Sequence, residues 1–179
     1  MKLIGRLIGL FFAATIVAAI ASAIAALSLK QRLPRVEDPD ADEVHLVAVF
    51  EPLAFTSKAP AFTGGTLDTW YGGGVVDLRE AVPHPSGAIL RVRTIFGGAQ
   101  LVVPDTWRVS IAMTSIFGGV GDTRTTGELP ADAPHLILEG VALFGGLGIS
   151  SSVSDSQMEE LTSAVEAHRA EAALADAGF

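Results

Sequence analysis

The chain has 179 residues, enough for one domain of ordinary size with an appendage and too few for two full domains. It contains no cysteine, which excludes a disulfide framework and thiol chemistry, and its net charge of −8 argues against a nucleic-acid binder, which needs clustered Lys and Arg. Apolar residues make up 49% of the chain, so disorder throughout is excluded.

The chain begins with a long apolar segment. Residues 7–29 contain no ionisable side chain, and a helix of that length can cross a hydrocarbon core of about 30 Å. This pattern predicts a transmembrane anchor over residues 1–30, a single-pass location in the plasma membrane, and contact with the lipid bilayer through residues 7–29. The alternative is a cleaved signal peptide, because Ala21-Ser22-Ala23 has the spacing of a cleavage site. The positive charges are balanced on the two sides of the segment, so the side of the membrane on which the following domain lies stays open.

Residues 31–44 have the composition of a linker. They contain two prolines, Pro34 and Pro39, and a cluster of acidic residues. Proline and like charge keep a segment extended and solvated, so we expect an acidic linker between the predicted anchor and the next domain. The acidic residues are Glu37, Asp38, Asp40, Asp42 and Glu43.

Residues 45–150 repeat one pattern: a small residue, a large apolar residue, an aromatic residue and two glycines, with Glu51-Pro52 in place of the glycines in the first copy. The aromatic positions are 21, 25, 21 and 27 residues apart, and each copy ends a stretch of alternating apolar and polar residues. Such alternation is typical of strands with one buried face, and self-similarity at this spacing is typical of stacked repeats. The pattern predicts a mainly β, solenoid-like repeat domain with a glycine pair at each corner. The aromatic residues are Phe50, Tyr71, Phe96, Phe117 and Phe144, and the first glycines of the pairs are Gly72, Gly97, Gly118 and Gly145.

These repeated residues have a structural interpretation. The aromatic side chains are predicted to be buried and to stack in a column inside the domain, one for each coil. The glycines are predicted to adopt positive φ at a corner where a Cβ atom would collide. A phosphate cradle is disfavoured, because Gly72-Gly73-Gly74 is not followed by Lys-Ser or Lys-Thr.

No catalytic constellation emerges from the sequence. The four histidines are scattered singly, and no serine lies in a nucleophile motif. We therefore expect no enzyme activity, no cofactor and no metal. Trp70 and Trp107 are candidate docking anchors, because tryptophan is enriched in interface hot spots. Asp77 and Arg79 are candidates for binding a polar ligand, with a simple surface ion pair as the alternative.

The C-terminal residues 151–179 change to a helical period. Met158, Leu161 and Val165 recur at helical intervals after a capping-box spacing. This segment predicts a polar linker and a short amphipathic helix, which caps the end of the solenoid or meets a partner.

The serial Phe-Gly-Gly pattern, together with Val76–Ala81, Val103–Val109 and Glu139–Gly146, resembles the C-terminal domain of LiaF-like proteins, the bacterial cell wall-active antibiotics response proteins. The resemblance covers about residues 45–150. It implies a membrane-tethered, right-handed β-solenoid-like domain without catalytic residues. It also implies a role in envelope-stress signalling, typically the restraint of a membrane sensor kinase.

Two functional hypotheses follow. The first is a membrane-anchored regulatory module that binds a membrane protein partner and acts in the envelope-stress response. The alternative is a structural scaffold outside the membrane that associates with itself, as a homo-oligomer, or binds a component of the cell envelope. An exposed apolar patch around Trp70 favours the first hypothesis, and exposed edge strands favour self-association.

Overall fold

A computed structural model describes residues 2–30, 32–33, 35–153 and 155–176 of the chain. The chain divides into two compact units, residues 1–33 and residues 34–179. The first unit consists largely of the helix α1 (Lys2–Lys30). The described part of the second unit contains ten strands and one helix: β1 (Glu43–Val49), β2 (Pro52–Thr56), β3 (Gly64–Trp70), β4 (Gly73–Asp77), β5 (Ala88–Ile95), β6 (Gly98–Val102), β7 (Arg108–Ile116), β8 (Gly119–Asp122), β9 (His135–Leu143), β10 (Gly146–Ser150) and α2 (Asp155–Asp176).

The predicted membrane anchor at residues 1–30 is wrong. A spanning helix needs about 20 consecutive, predominantly apolar residues. Over the residues that the structure describes, α1 included, no helix meets both the length and the apolar character that crossing requires. The predicted single-pass location in the plasma membrane is wrong for the same reason.

The second unit is built from two five-stranded parallel sheets. The odd-numbered strands form sheet A in the order β1-β3-β5-β9-β7, and the even-numbered strands form sheet B in the order β2-β4-β6-β10-β8. Each aromatic corner joins a strand of sheet A to a strand of sheet B, so one repeat contributes one strand to each sheet. The alternating residues of the sequence become the inner and outer faces of these strands.

The predicted right-handed β-solenoid-like domain behind a transmembrane helix is also wrong. A solenoid adds its coils in chain order, which would place β7 beside β5. Here β5 pairs with β9 and β6 pairs with β10, so the fifth repeat lies between the third and the fourth. The structure is instead a pair of parallel sheets with two helices.

The core lies between the two sheets. Rows of aliphatic side chains cross each sheet in register, as in the row formed by Leu46, Leu67 and Val92, all of which are fully buried. At about 25 cal/mol per Å² of apolar area removed from water, these rows are the main source of stability. The helix α2 packs on sheet B, where Met158 and Leu161 contact a small second cluster with Val75 and Val102.

The ring column is the structure formed by the repeated aromatics, Phe50, Tyr71, Phe96, Phe144 and Phe117 in spatial order. Successive ring centroids are 4.8–5.0 Å apart, and the ring planes are within 9° of parallel. The predicted stacking is confirmed, but the predicted burial is wrong, because the rings project outward and the four phenylalanines are at least 43% exposed.

The backbone at each corner explains this outward direction. The aromatic residue itself adopts the left-handed conformation, with φ between 50° and 55° at all five positions. The prediction of positive φ at Gly97 and Gly118 is wrong. These glycines are required for a different reason: a Cβ atom on Gly97 would lie 2.1 Å from the Gly72 carbonyl oxygen, and one on Gly118 would lie 1.7 Å from that of Gly145.

Candidate interaction surface at the open end of the sheets

The two sheets end together on one side, at β7 and β8, and we call this side the open end. Both strands are the last in their sheets. No strand among the described residues pairs with the outer edge of either one. Edge strands present unpaired backbone N–H and C=O groups to solvent. Two such edges side by side, one in each sheet, form a template on which another polypeptide can pair.

The apolar layer between the sheets is uncovered at this end. Ile111 lies in the same row as Leu90 and Leu138, which are fully buried in β5 and β9, yet Ile111 is 43% exposed. Met113 and Val120 pack against the core but remain only partly buried. The open end therefore exposes a section through the core.

The opposite end, formed by β1 and β2, is closed. The backbone of Val36 pairs with His45 in an antiparallel bridge on the free edge of β1. The inward-facing side chains of β2, Leu53 and Phe55, are buried at 7% and 6% exposure. The two ends of the same pair of sheets therefore differ in how their cores are covered.

Charged side chains hold this closed end in place. Arg35 forms an ion pair with Glu51 and donates a hydrogen bond to the Val47 carbonyl. Arg169 of α2 donates to Glu37, with a nitrogen–oxygen distance of 2.8 Å. These charged residues line a cavity of about 300 Å³. The cavity is also lined by Lys58, so its basic side chains outnumber the two carboxylates of Glu37 and Glu51.

The four candidate interaction residues from the sequence lie in separate environments. Trp107 is 3% exposed within the core, so its ring is not available on the surface. Trp70 lies on the outer face of sheet A beside the ring column and is partly buried, and its buried Nε1 has no hydrogen-bond partner within the described part of the chain. The structure does not bring these two tryptophans onto one surface.

Asp77 and Arg79 engage each other. The Arg79 guanidinium donates to both carboxylate oxygens of Asp77 at 2.6–3.0 Å, and the Arg79 backbone N–H donates to the same carboxylate. Asp77 is 4% exposed. The two side chains form an ion-pair clamp at the end of β4, as in the alternative interpretation, but the buried carboxylate does not lie on the surface.

Sequence reasoning missed a second clamp of the same kind at the open end. Arg124 donates to both carboxylate oxygens of Asp122 and to the carbonyl oxygens of Pro104 and Trp107, and its side chain is only 2% exposed. Burial raises the pKa of Asp122, but hydrogen bonds from Arg124 and the charge of that residue outweigh this effect and leave the pKa below its usual value. The available signal was the Asp-x-Arg spacing, which occurs at both clamps.

The histidines make ordinary polar contacts. The His45 ring nitrogen Nδ1 lies 3.0 Å from the Thr66 hydroxyl, and the His135 Nε2 lies 2.8 Å from the Ser110 hydroxyl. The described residues hold no group of three or more His, Cys, Asp or Glu side chains arranged to bind a metal ion. The candidate functional site is therefore the exposed apolar surface at the open end.

Comparisons with known proteins add relatives without a described activity. No family model and no solved structure match the chain, and nothing in the comparisons indicates the LiaF-like family. The chain is similar to two uncharacterized proteins of Mycobacterium tuberculosis: 32% identical over 84 residues in strain CDC 1551 and 31% identical over 84 residues in strain H37Rv. Each match covers 47% of this chain and 42% of the relative, so the chain spans less than half the length of these relatives.

Proposed function

We propose that the protein is a self-associating structural scaffold whose copies join through the open end and which acts by binding, without turnover. The observation that carries this proposal is the exposed section through the core at β7 and β8. Exposed apolar surface next to unpaired strand edges favours association with another folded chain.

The shape of the open end supports a second copy as the partner. A partner must offer two strand edges with the same separation as β7 and β8, and an apolar layer of matching width between them. A second copy of this chain offers both features by construction. The inward-facing apolar residues at this end carry no charge: Val109, Ile111, Met113 and Val120. Asp122 lies in the same row as the buried Ile149, and its carboxylate is neutralised by the ion pair with Arg124.

A binding role also fits the remaining polar groups. The carboxylates of Asp77 and Asp122 are occupied by Arg79 and Arg124 within the chain. General acid–base or nucleophilic catalysis needs titratable side chains that converge on one cleft. Clamped ion pairs at two separate strand ends do not supply that arrangement.

The proposal is tested by replacing Ile111→Lys in the full chain and measuring its mass by sedimentation equilibrium over a range of concentrations. Covering the exposed 43% of Ile111 contributes about 1 kcal/mol, so we expect self-association to weaken by roughly fivefold from the lost apolar contact, and further because the lysine charge is desolvated. Ile89→Lys is the matched control. Ile89 is 39% exposed, close to the 43% of Ile111, but it lies on β5 away from the open end.

The expected result is a wild type and an Ile89→Lys variant that associate equally, and an Ile111→Lys variant that needs a higher concentration to associate. A wild-type protein that stays monomeric at the highest concentration reached would overturn the proposal. Equal association of the two lysine variants would also place the contact elsewhere.

A further inference from the structure

We infer that the assembly is a closed two-fold dimer, in which the open ends of two copies meet and the ring column continues from one copy into the other. This inference rests on the proposed self-association and specifies its symmetry. Three observations carry it: the glycines at the corners, the end of the ring column, and the closed opposite end.

The corner glycines follow a rule along the stack of repeats. A Cβ atom placed on the first glycine of a pair would point at the neighbouring repeat on the side of β1. A Cβ atom placed on the second glycine would point at the neighbouring repeat on the side of β7. A Cβ atom on Gly97, a first glycine, would lie 2.1 Å from the Gly72 carbonyl oxygen, whereas one on Gly73, a second glycine, would lie 1.8 Å from that of Gly98. Each of these glycines permits the backbone of the next repeat to approach.

Gly119 is the second glycine of the last repeat in the stack. By the same rule it faces outward at the open end, and no described atom lies within 4 Å of the position that its Cβ would take. Its φ lies outside the left-handed region, so the chain itself has no steric need for glycine here. The backbone of a second copy, stacked on β8, supplies the close approach that explains this residue.

The ring column ends at the same place. Among the described residues, Phe117 stacks on Phe144 alone, and it is 78% exposed, the highest value among the four phenylalanines of the column. Continuing the column at its regular spacing places another aromatic ring on the free face of Phe117. A ring on the open end of a second copy can occupy that position.

The closed end determines the symmetry. A head-to-tail contact would have to place β7 of one copy on β1 of the next, but the Val36 bridge occupies the free edge of β1. The remaining arrangement pairs two open ends about a two-fold axis, which closes at two copies. We place that axis along the strand direction, so the Phe117 corners of the two copies lie at the same end of the strands. Phe117 of one copy then meets Phe117 of the second copy. The strand β7 of one copy runs antiparallel beside β8 of the other.

The symmetry is tested by disulfide formation in the full chain, which contains no natural cysteine. Neighbouring strands are about 4.8 Å apart, within the range of about 4.4–6.8 Å between the Cα atoms of a disulfide. We expect Phe117→Cys to form a covalent dimer under mild oxidation and Phe50→Cys, at the closed end, to remain monomeric on a denaturing gel. A Phe50→Cys/Phe117→Cys double variant should give dimers without higher species.

The outcomes separate this inference from the proposal on which it rests. A wild-type protein that never associates overturns both. Association in the wild type, combined with ladders of higher species from the double variant or no Phe117→Cys dimer, overturns the two-fold arrangement and leaves self-association standing.

A second pair of variants tests the backbone contact at Gly119. We expect Gly119→Val to retain the urea unfolding midpoint of the isolated chain and to weaken dimerisation at least tenfold. Gly148→Val is the matched control, because Gly148 lies within β10, and its Cβ position is also free of described atoms within 4 Å. Dimerisation of Gly119→Val at the wild-type level would overturn the inferred contact.

Discussion

At the scale of single residues, the five aromatic corners combine backbone strain with ring stacking. A left-handed conformation costs a residue with a Cβ atom about 1–2 kcal/mol, so glycine would be the cheaper choice on backbone grounds. Phe96 stacks on both Tyr71 and Phe144, and two stacked pairs contribute roughly 1–3 kcal/mol. The stacking is therefore large enough to offset the strain, which explains how aromatic residues persist at φ near 50°.

This balance predicts an unusual order of stabilities at position 96. Phe96→Ala loses the stacking and keeps the strain, whereas Phe96→Gly loses both. We expect the wild type to be the most stable, and the glycine variant to be more stable than the alanine variant by about 1 kcal/mol. Urea unfolding of the three proteins measures the order. An alanine variant as stable as the glycine variant would contradict the assigned backbone strain.

The sequence could predict the stacking of these residues but not their exposure. Phe96 shares the alternating phase of Leu90, Val92 and Thr94, all of which are buried, and that phase predicts an inward ring. The left-handed turn at Phe96 breaks the alternation and directs the ring outward. Glycine adopts positive φ more readily than an aromatic residue does, so the sequence assigned that conformation to the two glycines that follow.

At the scale of elements, the end of β8 depends on one buried guanidinium. Arg124 connects Asp122 to the carbonyl oxygens of Pro104 and Trp107, so it joins two segments that no strand pairing connects. Hydrogen bonds to charged groups contribute about 1.5–3 kcal/mol. Arg124, which the sequence analysis did not identify, therefore stabilises the end of the edge strand β8.

We predict that Arg124→Gln lowers the free energy of unfolding by about 2 kcal/mol at neutral pH, because the two carbonyls lose their guanidinium donor and the carboxylate keeps only the hydrogen bond from the backbone N–H of residue 124. Arg91→Gln, which removes an exposed pair with Glu139, should cost less than about 1 kcal/mol. The pKa of Asp122 is lower in the folded state than in the unfolded state. The ionised carboxylate therefore contributes to the free energy of unfolding above about pH 4, and this contribution is lost as the pH falls below that value.

Urea unfolding at neutral pH and at about pH 3 measures both effects. The difference in stability between the wild type and Arg124→Gln should shrink in acid. A difference that is unchanged or larger in acid would show that the carboxylate is not the partner that matters.

The order of the strands lay beyond sequence analysis for a physical reason. The corners at Tyr71, Phe96, Phe117 and Phe144 share one pattern, an aromatic residue followed by two glycines, so each repeat can pack on any other with similar local contacts. The long connection at residues 123–134 allows the fifth repeat to return between the third and the fourth.

At the scale of the whole molecule, the insertion of β9 and β10 decides which repeat lies at the edge. It leaves β7 and β8 at the open end, while the segment around Val36 closes the opposite end. Because only the open end has free strand edges for a second copy, each chain can bind one neighbour there. The molecule is therefore suited to finite assembly, and the account predicts dimers in place of fibres.

Amide hydrogen exchange of the full chain at low and high protein concentration tests this central claim most directly, because it locates the contact as well as detecting it. We expect peptides covering β7 and β8 to exchange more slowly as the concentration rises, since their edge amides gain hydrogen bonds to the second copy. Peptides covering β1 should exchange at the same rate throughout. Exchange in β7 and β8 that is independent of concentration, or protection gained at β1 instead, would show that the open ends do not meet.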